Sequence, residues 1–430
     1  MDLLTSSNFW LVLLFLGPLA LRIPIAICLG MAALFVLWRW DMGIAMLSYN
    51  FYAGIYKFPL LAIPFFIMAG VIMDKVGIAE RLIALIRELV GDITGGLAVA
   101  TVVMATFWGA VSGSGPATVA ALGLVLIPGM VAAGYDKPFA TSTVCVSSGL
   151  AIIIPPSIVF IVYGDIMSVS IGALFAAGIL PGILIAFCLV VTVYVMSYFK
   201  GYKGSPRNMT ALWKALRESI WGLIAPVIIL GGIYGGIFTP TEAAIIAVFY
   251  GLFVGVFIYR SLTFQGFQDI LRDTMLSSAL VMFVVACAGL FSWVGNSIGL
   301  IPKIAQIMLS VSSNEVMVLL MINVTLFFAG MLLEAISIMY VFMPIMLPII
   351  IHFGWDPVWF GVVATINMAI GQVTPPVAVN LFVGCNITGL GMESLIKPVV
   401  PQVLAVIIGL IFVAAFPQIS LFLPRLWGLM

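Results

Sequence analysis

The stretch VSGSGPATVAALG, Val111–Gly123, combines helix-breaking and small residues that could bind ions. A Ser-Gly break at 112–114 ends one helix and leaves its last carbonyls without helical partners, and such carbonyls ligate small hard cations. Ser114-Gly115-Pro116 then starts a second helix, because proline in a first helical turn loses no hydrogen bond. The N-terminus of that helix carries partial positive charge, which suits an anion. This stretch therefore predicts a site for a cation and an anion.

The stretch IIPPS, residues 153–157, interrupts a neighbouring apolar segment and offers a second group of carbonyls. Non-helical backbone within a membrane is tolerated only where it lines a cavity or meets protein. The alternative is a seam of small residues for close helix packing. A seam does not explain why a double proline recurs at Pro375-Pro376, so the ion-binding interpretation is favoured.

A carboxylate, Glu334, lies in the apolar stretch AGMLLEAISIM at 329–339. Because a charge at this depth costs at least a few kcal/mol, it needs a cation, a proton or a hydrogen-bonding cage. Two interpretations stay open: a role in sodium or proton coupling, and a helix cap satisfied by backbone N–H groups. Asn367, which precedes GQVTPP, either orients backbone or substrate or makes a plain hydrogen bond between helices.

Other polar residues are predicted to be structural. Solvated or capping positions at turns are expected for Asp165, His352 and Asp356. FTPTEAA, 238–244, is typical of a helix start, capped by Thr239 or Thr241 with Glu242 in the first turn. The five cysteines stand singly in apolar runs, which indicates packing as small hydrophobic groups rather than a metal or redox site.

The amino-acid composition indicates the class of protein to which these residues belong. The chain has 430 residues, of which 64% are hydrophobic and 8% charged, whereas soluble domains are about 25% charged. Long apolar runs without two-residue alternation indicate an all-α polytopic protein in a lipid bilayer rather than a barrel. The net charge of +1 gives no reason to expect nucleic acid as a partner.

About ten transmembrane helices are predicted, at 7–21, 23–38, 58–74, 139–164, 172–198, 219–236, 243–259, 275–293, 358–384 and 398–421. Two further stretches, 96–130 and 316–350, are interrupted near their middles. Each arm would have about 15 residues, or about 22 Å of helix, against a hydrocarbon core of about 30 Å. Both stretches are therefore predicted to be re-entrant hairpins.

The distribution of Lys and Arg predicts orientation. With the N-terminus outside, thirteen of these residues, including Arg22 and Arg207, fall inside. Four fall outside: Arg39, Lys57, Lys303 and Arg425. This positive-inside bias places the ends of the first hairpin inside and those of the second hairpin outside. The basic segment 199–219 becomes a cytoplasmic loop between two halves.

The two halves repeat each other at an offset of 220 residues. Pro155-Pro156 matches Pro375-Pro376, and the same offset relates Pro128 to Pro348, Gly134 to Gly354, Asp136 to Asp356, Gly164 to Gly384 and Pro181 to Pro401. The predicted units are 1–218, with a broken helix at 155–157, and 219–430, with a broken helix at 374–376. Because five spans separate them, the repeats are inverted, which is typical of secondary transporters.

Four motifs in order resemble the large membrane subunit of tripartite ATP-independent periplasmic (TRAP) transporters: GAVSGSGPATVAALG, IIPPSIVFIVYG, FTPTEAA and INMAIGQVTPP. The resemblance covers essentially the whole chain. It implies an elevator-type fold in the bacterial inner membrane and sodium-coupled import of an organic acid. It also implies a small four-helix membrane subunit and a soluble periplasmic substrate-binding protein as partners, and no enzymatic activity.

The resemblance further implies where Na⁺ and substrate bind. Mapped by motif, sodium is expected at Ser112, Gly113, Ser114, Pro155 and Ser157 in the first half, and at Gly330, Glu334, Gly371, Thr374 and Pro375 in the second. The substrate is expected near Ser114, Gly115, Ala117, Thr118, Ser157, Asn367 and Pro376. No metal other than sodium is expected.

The resemblance leaves the substrate open. Sialic-acid members often have Asp in place of Glu334 and Ala-Asp in place of Gly115-Pro116, so these departures favour a C4-dicarboxylate or a short sulfonate. The alternatives are a sialic acid carrier, a proton-coupled carrier of the same fold, and an ion channel, whose filters also use hairpin loops. An intramembrane serine protease is disfavoured because the single histidine, His352, lies 238 positions from Ser114.

Overall fold

The structure is a computed structural model that describes residues 6–21, 23–204 and 208–430. Arg22, Arg207 and part of the basic loop 199–219 lie outside the described residues. Within the described residues the regular secondary structure consists of helices, without strands. The α-helices are α1 (Ser7–Ala20), α2 (Ile25–Arg39), α3 (Ala45–Ile55), α4 (Ala62–Lys75), α5 (Ile78–Val90), α6 (Gly96–Ser112), α7 (Gly115–Ala132), α8 (Lys137–Ser147), α9 (Ile158–Met167), α10 (Ile171–Lys200), α11 (Met209–Tyr234), α12 (Pro240–Phe253), α13 (Phe264–Ser297), α14 (Leu300–Val311), α15 (Glu315–Leu332), α16 (Ala335–Phe353), α17 (Pro357–Gly371), α18 (Val379–Thr388), α19 (Met392–Ala415) and α20 (Gln418–Leu426).

The all-helical membrane architecture predicted from the sequence is confirmed. Nine of the described helical segments are long and apolar enough to cross a membrane, where α4 is extended to Phe58–Lys75 and α12 to Pro240–Ile258 by adjoining helical turns. Six of them match predicted spans, and the other three are the hairpin arms α7, α15 and α16. The predicted spans 139–164 and 358–384 are each divided in two, as α8 with α9 and α17 with α18. Short helices thus flank each double proline.

The predicted length of the hairpin arms is wrong. The four arms have 17, 18, 18 and 19 residues, roughly 26 to 28 Å of helix, because each break takes only two residues. Those residues are Gly113-Ser114 and Leu333-Glu334. Length alone therefore does not keep the arms from crossing. Gly113 at the first tip lies beside Pro156, in the break between α8 and α9. The re-entrant course of both hairpins stays a prediction.

Helix boundaries recur at the offset found in the sequence. Helices α7 and α16 begin at Gly115 and Ala335, and α8 and α17 begin at Lys137 and Pro357. Gly149 contacts its own counterpart in the second half: a Cβ added to Gly149 would lie 3.5 Å from Cβ of Ala369. A residue touches its own counterpart where a twofold axis passes between two units.

Polar contacts on the predicted outer side join ends of different helices. Lys57 Nζ, before α4, lies 2.8 Å from Asp165 Oδ2 at the end of α9. Trp355 Nε1, after α16, donates to Glu315 Oε1 at the start of α15 over 2.7 Å. Each contact links two ends that the charge distribution places on the same side of the membrane.

On the predicted inner side, polar contacts also join helix ends that the charge distribution places on one side of the membrane. Lys75 Nζ, at the end of α4, lies 3.2 Å from Asp273 Oδ2. Lys137 Nζ, at the start of α8, donates to the carbonyl of Thr388 at the end of α18 over 2.6 Å. Lys200 pairs with Asp136, and this hydrogen bond lowers the pKa of the Asp136 carboxyl. The absolute orientation stays a prediction.

The structural roles predicted for isolated polar residues are only partly met. Thr239 and Glu242 form a reciprocal cap on α12, as predicted. Asp356 caps α17 by accepting from Val358 N at 2.9 Å. The prediction for Asp165 is wrong: it lies within α9, its side chain is 7% exposed, and it is paired with Lys57. His352 is exposed in the last turn of α16.

Candidate functional site

The tip of the first hairpin is held by its own serine and threonine side chains. Helix α6 ends at Ser112, Gly113 has a φ of +60°, and Ser114 is extended before α7 begins. Ser112 Oγ lies 2.6 Å from Thr118 Oγ1 and accepts from Ser114 N at 3.3 Å. The hydroxyls thus fix the turn, and the carbonyls that end α6 are the groups free of helical hydrogen bonding.

This tip lies directly against the first broken helix. A Cβ added to Gly113 would lie 2.9 Å from the carbonyl oxygen of Pro156, so only glycine allows this approach. Ser157 is fully buried, donates to the carbonyl of Ile152 over 2.6 Å and accepts from Phe160 N at 3.4 Å. Its hydroxyl therefore shapes the break and caps α9.

The second hairpin has Glu334 where the first has Ser114. Glu334 is the residue before α16, but its side chain does not accept from the backbone N–H groups of that helix. Its Oε1 is buried and has no hydrogen-bond partner within the described chain. The alternative prediction that backbone N–H groups satisfy this carboxylate is therefore wrong. A buried oxygen of this kind is costly unless a cation or a proton reaches it.

The second tip meets its own broken helix through two glycines. A Cβ added to Gly371 would lie 2.5 Å from Cα of Gly330, so the backbones of α15 and α17 are in contact. Val377 N donates to the carbonyl of Met331 over 3.1 Å. Thr374 Oγ1 donates to the carbonyl of Ile370 over 2.7 Å. This break is more open than the first one, since Thr374 and Pro375 are half-buried and Pro376 is exposed.

The first hairpin crosses its broken helix at the equivalent place. A Cβ added to Gly109 would lie 2.8 Å from Cα of Ala151, and Ala151 is the counterpart of Gly371 at the 220-residue offset. Both hairpins are therefore seated on their broken helices by close contacts between small residues. Small residues can therefore serve close helix packing and an ion site at the same time, because close packing brings the carbonyls of the tip and the break together.

Asn367 makes the predicted hydrogen bond between helices. Its Nδ2 donates to the carbonyl of Asn323 at 2.9 Å and to Asn323 Oδ1 at 3.0 Å, which ties α17 to α15. Its own Oδ1 is buried without a partner within the described chain. A role toward substrate stays a prediction.

Two residues that the sequence did not single out connect the two halves. Gln372 and Asn380, on either side of the second break, lie against Gly115 at the start of α7. A Cβ there would lie 2.9 Å from Asn380 Oδ1. Gln372 lies within the motif GQVTPP, so the sequence could have indicated it as a polar amide beside the predicted break. Asn380 lies outside the quoted motifs, and no sequence pattern indicated it.

A comparison with known protein families identifies the family to which this chain of paired hairpins and broken helices belongs. The sequence profile described as "Tripartite ATP-independent periplasmic transporter, DctM component" matches residues 11–419. The chain belongs to the DctM family. The resemblance seen in the four motifs is thereby confirmed. The chain is a component of a three-part transporter and resides in the inner membrane.

Two curated relatives of this DctM component show how far the similarity extends. The isethionate TRAP transporter permease protein DctMQ of Oleidesulfovibrio alaskensis is 42% identical over 94% of this chain and 64% of its own length. The C4-dicarboxylate TRAP transporter large permease protein DctM of Pseudomonas aeruginosa is 40% identical over 86% of this chain and 87% of its own. The chain thus spans 64% of the first relative and most of the second.

The fold of this DctM component is shared with a solved transporter. The crystal structure of the Alcanivorax borkumensis YdaH transporter, described as having an unusual topology, superposes with a TM-score of 0.62 at 17% identity. The superposition covers 94% of this chain and 98% of the other. At this identity the similarity shows the fold alone.

The structure brings most of the predicted site residues of this DctM component into two groups. Ser112, Gly113, Ser114, Gly115, Thr118, Pro155 and Ser157 lie at the first tip and its break, and Gly330, Glu334, Asn367, Gly371, Thr374, Pro375 and Pro376 belong to the second hairpin and broken helix. Ala117 is exposed on α7. Buried oxygens without partners at Glu334 and Asn367 fit the hard oxygen ligands that Na⁺ prefers.

Proposed function

We propose that this chain is the membrane permease of a TRAP transporter that imports a small organic acid anion together with Na⁺. The observation that carries the proposal is the pairing of each hairpin tip with the break of its own broken helix, as at Gly113 with Pro156 and Met331 with Val377. Paired breaks bring backbone carbonyls together in a protein interior, where a cation can replace their missing hydrogen bonds.

In this proposal, the cations and the anionic substrate bind to different groups of the chain. Carbonyls of residues 112–114 and 155–157 would hold one sodium ion. Carbonyls of Gly330, Gly371, Thr374 and Pro375, with Glu334, would hold another. The first turn of α7 would take the anionic group of the substrate, because a helix N-terminus has unpaired N–H groups and partial positive charge.

The substrate is inferred from the relatives and from the form of the site. The two relatives are named for isethionate and for C4-dicarboxylates, a short sulfonate and short carboxylates. Backbone N–H groups at a helix start bind either kind of acid. A small acid of this class is therefore the proposed substrate, delivered by a periplasmic substrate-binding protein, with a small four-helix membrane subunit completing the scaffold.

Alternating access is proposed to be of the elevator type. The contact between the counterparts Gly149 and Ala369 favours two inverted repeats, 1–218 and 219–430, related by a twofold axis. In such a fold the two hairpins and the broken helices move as one body against the remaining helices. The ion pair of Lys57 with Asp165 joins the chain before α4 to this moving body.

Proton coupling is the second candidate, because Glu334 is buried at the second tip without a cap hydrogen bond. The test is uptake into proteoliposomes that contain this chain, the small subunit and the binding protein. Concentrative uptake that is lost when the sodium gradient is dissipated supports sodium coupling. Uptake that follows a pH gradient at equal sodium on both sides supports proton coupling. Passive ion conductance would indicate a channel.

A further inference from the structure

Two carboxamide side chains from the second half lie against the start of α7 in the first half. Gln372 is 6% exposed and Asn380 is fully buried. A Cβ added to Gly115 would lie 2.9 Å from Asn380 Oδ1 and 3.0 Å from Asn380 Nδ2, and still closer to Gln372 Oε1. The two amides therefore occupy the space beside the first residue of the helix.

The two amides are anchored differently. Asn380 N donates to the carbonyl of Gln372 over 3.0 Å, which closes the backbone of the break, and Asn380 Nδ2 donates to the carbonyl of Cys145 on α8 over 3.2 Å. Asn380 is thus fixed to both halves. Gln372 Oε1 and Asn380 Oδ1 are both buried without a hydrogen-bond partner within the described chain. The amide of Asn380 is nevertheless held in place through its Nδ2, so Oε1 of Gln372 is the oxygen that can change partners.

Packing alone does not require polar side chains here. The counterparts of Gln372 and Asn380 at the 220-residue offset are Ile152 and Phe160, and both are buried and apolar. A buried amide oxygen without a partner is unfavourable. The second half therefore keeps a polar pair where the first half uses hydrocarbon, and it does so where α7 presents its positive end.

Resting on the function proposed above, we propose that Gln372 is a positioning residue that makes binding of the organic anion depend on sodium. Without sodium, its Oε1 places partial negative charge beside the first turn of α7 and competes with the substrate anion. Gln372 directly follows Gly371 and precedes Thr374 and Pro375. A cation among the carbonyls of those residues draws Oε1 away from α7, and the first turn then accepts the anion.

The test compares the apparent KM for substrate at low and at high sodium in the reconstituted three-component transporter. In the unchanged chain this KM falls as sodium rises. In Gln372→Leu, which restores the apolar character found at Ile152, the low-to-high sodium ratio of KM shrinks by about fivefold or more, the lower end of usual coupling between two sites. The low-sodium KM decreases, because no oxygen competes with the anion.

Gln402→Leu is the matched control. Gln402 is also fully buried with an unpartnered Oε1, but it lies on α19 and bonds to Ser142 and Pro398. This variant should keep the low-to-high sodium ratio of KM found in the unchanged chain.

A Gln372→Leu transporter that loses maximal rate but keeps the unchanged sodium dependence of KM would show a merely structural role and overturn the inference. Absence of sodium-driven uptake in the unchanged chain would instead refute the proposed function. Gln372→Asn, which shortens the amide but keeps its oxygen, retains part of the sodium dependence if the inference holds.

Discussion

Ser114 and Glu334 occupy the same place in two different hairpins: each is the extended residue directly before the second helix of its hairpin, α7 or α16. The first tip thus presents a hydroxyl and the second a carboxylate. Neither side chain caps its helix. The two tips are built alike in backbone and differ in charge, which suggests that they bind different partners.

Removing the charge of Glu334 separates the possible roles of this carboxylate. If it faces bound sodium, Glu334→Gln weakens the sodium response at a cost of about 1–3 kcal/mol for a charged hydrogen-bonding partner, or roughly five- to 150-fold. If it carries a coupling proton, uptake at fixed sodium loses its pH dependence instead. Glu315→Gln, at the predicted outer end of α15, is the control. A Glu334→Gln transporter with normal sodium and pH responses would remove this residue from the site.

The serines of the first tip are expected to support the first cation. Replacing Ser112 and Ser114 together by alanine removes the hydroxyl that holds Thr118 and the turn. We expect the sodium concentration for half-maximal uptake to rise while the binding protein keeps its affinity for substrate. Ser310→Ala, in α14, is the control. Unchanged sodium dependence in a well-expressed double variant would contradict the assignment.

The glycine contact between α15 and α17 is expected to be necessary for stability. In Gly371→Ala the new Cβ would lie 2.5 Å from Cα of Gly330, and a backbone atom cannot rotate away. Overpacking of this kind typically costs about 1–3 kcal/mol. The variant should therefore unfold at lower temperature in detergent. Gly129→Ala, on α7 with no neighbouring atom within 4 Å, should not; equal melting temperatures of both variants would refute the contact.

The hairpin topology predicts opposite accessibility of two positions. In a background without the five native cysteines, Thr94→Cys before α6 should react with an impermeant thiol reagent from the cytoplasmic side. His352→Cys, exposed in the last turn of α16, should react from outside. Labelling of both positions from one side would mean an even number of crossings between them and would contradict the predicted topology.

The fold could be predicted where helix-breaking prolines and long apolar runs recur in the sequence. Pro155-Pro156 and Pro375-Pro376 gave the broken helices, and the apolar runs gave the spans, because proline and hydrophobic length act locally along the chain. The arms were predicted too short, since sequence does not show that Leu333-Glu334 suffices to turn the chain. Asp165 was misplaced and Asn380 was missed for a common reason. Their roles depend on Lys57 and Gly115, which are distant in sequence and meet only in the folded chain.

Simultaneous measurement of substrate and sodium entry tests the central claim most directly. Proteoliposomes with this chain, the small subunit and the substrate-loaded binding protein are supplied with radioactive sodium and a labelled short sulfonate or C4-dicarboxylate. The proposed mechanism predicts that sodium enters only when substrate is present, in a fixed ratio to it, and that a sodium gradient concentrates the substrate inside. Substrate entry without accompanying sodium, or sodium entry that does not require substrate, would contradict it.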